Sequence, residues 1–104
     1  MPGDPFDAGP ERAWGTVRDA AERDRFELEV GGLVLFADCA RAPGLLVVRY
    51  VYAPPSLRGT GAAGHLMAAI AGAARAEDRR IRALCGYARA WLRGREVDRG
   101  LLID

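Results

Sequence analysis

The feature that most constrains the fold is a glycine-rich turn, Leu57-Arg58-Gly59-Thr60-Gly61-Ala62-Ala63-Gly64, which joins an apolar run to an alanine-rich run. The run before it has the composition of a strand, and the run after it that of a helix. Glycines permit a tight turn and let the backbone approach a bulky anion. The unpaired N–H groups of the first helical turn and the helix dipole would stabilise that anion. The turn is therefore either a phosphate cradle or a plain strand-to-helix connection that packs a helix against a sheet.

Hydrophobic periodicity predicts a mixed sheet with two helices. Apolar and charged residues alternate at 26–30, Gly31-Gly32 is typical of a hairpin turn, and Pro54-Pro55 must end the third strand because proline cannot donate to a sheet ladder. That third strand is apolar on both faces at its start, which favours a central position. The predicted elements are strands at 26–30, 33–39, 45–52 and 81–85 and helices at 61–76 and 87–92.

The order of these elements predicts the topology. A strand, a long helix and a strand in succession form a right-handed crossover, so the strands at 45–52 and 81–85 are expected to be parallel in an otherwise antiparallel sheet. The fold class is thus α/β (α+β): three antiparallel strands, a helix, a parallel strand and a helix. Residues 14–17 are expected to add a short strand or to pack loosely at the edge. The apolar residues 101–103 would cap the core or mediate self-association.

Length and composition indicate one domain. Half of the 104 residues are hydrophobic, enough for a single modest core at 14–104, and the Pro-, Gly- and Asp-rich segment 1–13 is expected to be a flexible leader. The net charge of +1 argues against nucleic acid as a partner. All fifteen basic residues are arginine, which excludes a lysine Schiff base or a phosphate-binding lysine. No apolar run of about twenty residues marks a membrane span, and a cytoplasmic location is expected.

The cysteines argue against a metal site. Cys39 and Cys85 form no CxxC motif, and His65 is the single further soft ligand, so no bound metal is expected. In a reducing compartment both thiols would be free. Cys39, within a predicted strand, is interpreted as structural, and His65 as a surface or packing residue.

Several short motifs in a fixed order resemble the GCN5-related N-acetyltransferases. They are Pro54-Pro55 after a central strand, Arg58 followed by Gly61 and Ala63 in the pattern Arg/Gln-x-x-Gly-x-Gly/Ala, and Cys85-Gly86-Tyr87 after the next strand. The resemblance runs from about residue 25 to 92 and is closest to a branch of very small proteins with a Cys-x-Tyr motif. It implies a compact fold of that family with acetyl-coenzyme A (acetyl-CoA) as cosubstrate.

The resemblance also implies a cofactor site. The glycine turn would hold the pyrophosphate through backbone N–H groups, and the end of the preceding strand would pair with the pantetheine arm like an extra strand. Arg58 would add a charge-assisted bond, and the alternative interpretation is an exposed turn arginine. The implied cofactor-binding residues are Tyr52, Ala53, Arg58, Gly59, Thr60, Gly61, Ala62, Ala63 and Gly64.

Three residues are candidates for the chemistry. Cys85 would accept the acetyl group, a role that needs a neighbour to lower its thiol pKa, or it is a small buried hydrophobe. Tyr50 and Tyr87, like Tyr52, could donate a proton to a departing thiolate, or serve as core or edge aromatics. The small branch commonly has a His-Thr pair where this chain has Tyr50-Val51, so a family histidine is replaced.

The leading hypothesis is an acetyl-CoA-dependent N-acetyltransferase acting on an unidentified small-molecule or protein amine. Transfer would use direct attack by the amine or an acetyl-Cys85 intermediate. The alternatives are a catalytically impaired coenzyme A-binding interaction module and a structural helper without a ligand. Only Gly31-Gly32 separates the first two predicted strands, which leaves no room for the two helices that larger members carry there. The acceptor side should therefore be open or completed by a second subunit, as in a homodimer.

Overall fold

The computed structural model describes residues 14–103, and the expected leader at 1–13 lies outside them. The described chain forms a mixed sheet of six strands, two α-helices and three short 3-10 turns. The strands are β1 (Arg18–Ala20), β2 (Arg25–Val30), β3 (Leu33–Ala42), β4 (Leu45–Tyr52), β5 (Arg80–Ala83) and β6 (Leu102–Ile103). The helices are α1 (Ala62–Ala76) and α2 (Gly86–Arg93), and the 3-10 turns are Ala21–Arg23, Pro55–Leu57 and Arg99–Leu101.

The strands lie in chain order across the sheet, with β1 to β4 antiparallel and β5 and β6 parallel to β4. The hairpin between β2 and β3 closes at the pair Val30 and Leu33, and both turn glycines have positive φ, 57° at Gly31 and 83° at Gly32. A two-residue turn with positive φ at both positions matches the twist of its strands. The predicted hairpin, the central position of β4 and the parallel crossover are confirmed.

A bulge interrupts β4 close to its end. Asp38 of β3 is paired with Tyr50 of β4, but the next residue, Cys39, is paired with Val48, so Arg49 is an extra residue with no counterpart. A bulge of this kind bends its strand and increases the local twist. The last residues of β4 are thereby turned relative to the rest of the sheet.

Both helices pack on one face of the sheet. The core joins Leu35, Leu46 and Ile81 of the strands to Leu66 of α1 and Leu92 of α2. The many small residues of α1 let it lie close to the strands, with Ala62, Ala71 and Ala74 fully buried. In the part of the chain that the structure describes, no helix lies on the opposite face, which we call the open face.

Three segments differ from the sequence prediction. Of the two alternatives for 14–17, the strand is wrong, because Gly15, with φ of 89°, leaves the extended conformation that a strand requires, and a short strand lies instead at Arg18–Ala20. The other alternative agrees with the structure, since Trp14 and Val17 pack against the core. The strand expected to reach residue 85 ends at Ala83, and Cys85 becomes the N-cap residue of α2. Leu101 and Leu102 pack against the core, which agrees with the expectation that this segment caps it, but the strand that residues 102–103 add beside β5 was not predicted. No helix among residues 14–103 is long and apolar enough to cross a bilayer.

Candidate functional site

A groove opens where β4 and β5 part. Their last bond is donated by the Leu84 N–H to the Val48 carbonyl oxygen at 2.9 Å. Beyond this bond β4 continues to Tyr52, while the segment that follows β5 begins helix α2 at Gly86. The resulting groove has a volume of about 440 Å³, within the range typical of small-molecule sites. Its lining residues are Tyr50, Val51, Tyr52, Ala53, Leu57, Arg58, Gly59, Gly61, Ala63, Gly64 and Tyr87.

The glycine turn forms one end of this groove. Gly59 and Gly61 have φ values of 76° and 94°, in the left-handed region that side chains disfavour. Thr60 does not line the groove; its hydroxyl donates to the Leu57 carbonyl oxygen at 2.5 Å and accepts from the Ala62 N–H at 3.3 Å. The glycines therefore set the path of the turn, and Thr60 secures it.

The start of α1 presents unused backbone donors to the groove. Gly61 is the N-cap residue and offers no side-chain acceptor, and the helical ladder begins with the His65 N–H, which donates to the Gly61 carbonyl oxygen at 3.0 Å. Helix geometry leaves the N–H groups of Ala63 and Gly64 without an intrahelical acceptor. Both residues line the groove, so this helix end can bind an anionic group.

Arg58 is the one formally charged residue of the lining. Its Nε–H donates to the Ala53 carbonyl oxygen at 2.9 Å, across the turn that follows β4. This bond holds the exposed guanidinium at the end of the groove where the helix N-terminus lies. A positive charge and a helix N-terminus at one place favour an anion such as a phosphate.

Gly64 also has a packing role. A Cβ built on Gly64 would lie 3.3 Å from Nε1 of Trp91 in α2, tighter than an ordinary contact. The absence of a side chain thus lets the two helices approach each other. Gly64 therefore has the packing role that the sequence allowed, and it also lines the groove.

Three tyrosines line the groove beyond the glycine turn. The Tyr52 and Tyr50 rings pack on Phe36, with ring centroids 5.5 and 6.2 Å away, and Tyr50 is 50% exposed. Burial raises the pKa of the Tyr87 hydroxyl, and the nearby Cys85 thiol raises it further. Tyr87 therefore keeps its proton at neutral pH and is available as a donor.

The two cysteines lie in different surroundings. Cys85 is partly buried, packs against the core and is not among the residues that line the groove. Cys39 is buried, and burial raises the pKa of its thiol to about 12, in keeping with a structural residue. Both thiols are free.

The remaining predicted residues have mainly structural environments. Ala62 is fully buried beneath the turn, so only its backbone is relevant to binding. His65 forms a 2.8 Å hydrogen bond between Nε2 and the Gly15 carbonyl oxygen, away from the lining. Within residues 14–103, no three His, Cys, Asp or Glu side chains come together as metal ligands would.

The predicted cofactor-binding residues did not include Val51 and Leu57, which also line the groove. Leu57 ends the 3-10 turn after Pro54-Pro55, and Val51 follows the bulge at Arg49. The two prolines mark the turn, but a bulge has no sequence signal of its own. The face to which a residue beyond it points therefore depends on strand pairing.

A family model described as GCN5-related N-acetyl-transferase matches residues 25–98, which include the sheet from β2 to β5, both helices and the whole groove. The chain belongs to this family. A comparison with curated proteins found no match. The family assignment, the mixed sheet and the two helices agree with the fold expected from the sequence for a GCN5-related N-acetyltransferase.

Proposed function

We propose that this GCN5-related N-acetyltransferase transfers an acetyl group from acetyl-CoA to an amine. The observation that carries the proposal is the groove between the parted ends of β4 and β5, which combines an uncapped helix N-terminus with Arg58 at one end and tyrosines beyond. Such a site suits an extended ligand with an anionic portion and a neutral arm.

The residues present fit coenzyme A. The Ala63 and Gly64 N–H groups and the Arg58 guanidinium would hold the pyrophosphate, and Gly59, whose added Cβ would meet nothing within 4 Å, leaves room for it. The exposed backbone edge of β4 at Tyr52 and Ala53 would pair with the amides of the pantetheine arm. When bound, the thioester supplies an activated acetyl group.

The residues of the chain then have simple roles in transfer. A neutral amine nitrogen attacks the thioester carbonyl carbon, a C–N bond forms and the C–S bond breaks. Tyr87, held protonated, donates its hydroxyl proton to the departing sulfur, the amine releases its proton to solvent, and the Tyr87 phenolate regains a proton from solvent. Tyr50 lines the same groove and is the second candidate donor.

We propose direct attack rather than transfer through Cys85. A nucleophilic thiol needs access to the thioester and a neighbour that lowers its pKa. Cys85 lies outside the lining, and the nearby Tyr87 is a neutral phenol rather than a base. Mass spectrometry after incubation with acetyl-CoA tests this point: direct transfer predicts no acetyl adduct on Cys85 and sustained turnover of Cys85→Ala.

A second candidate function is coenzyme A binding without turnover. One observation favours it: the lining contains no imidazole or carboxylate that could accept a proton from the amine. Release of free coenzyme A thiol, measured with a chromogenic disulfide in the presence of an amine panel, separates the two functions. An enzyme releases thiol in proportion to the amine, and a binding module does not.

Titration calorimetry with acetyl-CoA tests the proposal itself. Arg58→Ala should weaken binding by about tenfold, the loss of one charge-assisted interaction at an exposed site. Arg99→Ala, which removes an arginine from the 3-10 turn at Arg99–Leu101, is the matched control and should bind normally. Absence of binding by the wild type at millimolar acetyl-CoA would refute the proposal.

For catalysis, Tyr87→Phe should lower kcat and leave acetyl-CoA affinity unchanged, because it removes the hydroxyl that donates the proton and keeps the ring that lines the groove. An unchanged kcat would instead assign proton donation to another group. The companion variant Tyr50→Phe tests whether Tyr50 is that group, in which case its kcat should fall.

A further inference from the structure

An aromatic cluster borders the groove on the open face of the sheet. Phe36, Tyr50 and Tyr52 form it, and the Arg25 guanidinium lies over the Phe36 ring, 3.8 Å from its centroid. The open face therefore already binds one cation on an aromatic ring. Tyr50 belongs to both the cluster and the groove lining, so a ligand on its exposed ring lies beside the groove.

Asp38 lies next to this cluster and has a partly exposed carboxylate. It is paired with Tyr50 across β3 and β4, which places the two side chains on the same face. The Asp38 side chain is 39% exposed, and its ion-pair partner Arg25 lies with Nε 3.8 Å from Oδ1, beyond hydrogen-bonding distance. By contrast, Glu27 on the same face is bound by Arg23 at 2.6 Å.

We propose that the acceptor carries a second, non-reacting ammonium group, as a linear diamine does, and that Asp38 and the Tyr50 ring bind it. This inference rests on the proposed acetyl transfer. A carboxylate beside an ammonium group and an electron-rich ring face both favour the charged form. The reacting nitrogen must be neutral to attack, so the ammonium at Asp38 is the distal one.

The transfer balances without further reactants. The neutral nitrogen of the diamine forms the C–N bond, the C–S bond breaks and the reacting nitrogen gives its proton to solvent. Tyr87 protonates the sulfur, and its phenolate then takes a proton from solvent. The distal ammonium keeps its charge throughout. Arg82 lies on the same face, but it is paired with Val47, on the far side of the bulge from Tyr50, whereas Asp38 is paired with Tyr50 directly.

Steady-state kinetics with diaminobutane and butylamine test the inference. Diaminobutane should have a KM about tenfold below that of butylamine, because the ion pair with Asp38 and the contact with the Tyr50 ring both contribute. Asp38→Asn removes only the ion pair, so it should raise the diaminobutane KM by about threefold to fivefold with kcat retained. Glu29→Gln is the matched control, because Glu29 lies on the same face but is paired with Val34, two same-face rows away from Asp38. It should leave both KM values unchanged.

A binding measurement gives a readout that is independent of turnover. Backbone amide NMR of the protein with diaminobutane should show shifts at Asp38 and Tyr50 that Asp38→Asn abolishes. Equal KM values for the two amines, a preference for carboxylate-bearing amines, or no NMR shift at these residues would overturn the inference. If acetyl-CoA fails to bind while the shifts are present, the proposed function fails and the diamine site stands.

Discussion

Gly59 offers a direct test of whether the glycine turn needs its left-handed backbone. Its φ is 76°, and a Cβ at this position would meet no atom within 4 Å, so an added methyl group has only a backbone cost. Holding alanine in the left-handed region costs about 1–2 kcal/mol. For a domain of this size, Gly59→Ala should lower Tm by roughly 4–16 °C. Gly59→Asn should cost less, because asparagine tolerates this conformation better.

Gly72 is the internal control for this prediction. It lies within α1, has no positive φ, and its added Cβ would also meet nothing within 4 Å. Gly72→Ala should therefore stabilise the protein by about 0.5–1 kcal/mol, since alanine loses less backbone entropy in a helix. Urea unfolding followed by circular dichroism compares the two variants. A Gly59→Ala midpoint equal to or above that of the wild type would refute the left-handed assignment.

Three further predictions concern stability and thiol reactivity. Asp98 is 3% exposed and pairs with two half-exposed arginines, so Asp98→Ala should cost about 2–3 kcal/mol in urea unfolding, whereas the exposed Glu96→Gln should be neutral. A loss below about 0.5 kcal/mol for Asp98→Ala would contradict the pairing. Hydrogen bonds from arginines lower the pKa of Glu77 to about 2, so the stability that Glu77 contributes is complete above its unfolded pKa and lost as pH falls toward 2. Glu77→Gln should therefore be less stable than the wild type at pH 7 but not at pH 2, and a difference in unfolding free energy that stays the same at both pH values would contradict this. Because burial raises the pKa of Cys39 to about 12, its thiol should resist alkylation at pH 8 until the protein unfolds, and the less buried Cys85 should react first. Equal alkylation rates of the two cysteines in the native protein would contradict the burial of Cys39.

Local patterns predicted most of the elements that surround the site. The bounds 45–52 for β4 agree with the structure, and the helix predicted from 61 begins one residue later because Gly61 is its N-cap. These elements depend on alternation, on Pro54-Pro55 and on the glycine turn, which are signals within a few residues. The strand at Arg18–Ala20 and the short β6 have no such pattern, because pairing with β2 and β5 defines them.

The candidate site was predicted in part for the same reason. Seven of the nine predicted cofactor-binding residues line the groove, and the exceptions, Thr60 and Ala62, lie in the same turn. Cys85 was expected at the end of β5, but the strand ends at Ala83, and Cys85 instead packs against the core as the cap of α2. Where a strand ends depends on its last bond to a neighbour, which the sequence of one strand does not specify.

The sequence by itself determined the glycine turn, the strand and helix on either side of it, and the order that makes β4 and β5 parallel. These follow from backbone preferences of glycine and proline and from hydrophobic periodicity, which act locally. Tertiary structure alone decided the groove, because β4 and β5 part only beyond the bulge at Arg49. It also decided that Asp38 lies beside Tyr50, since strand register brings together residues that are distant in the chain.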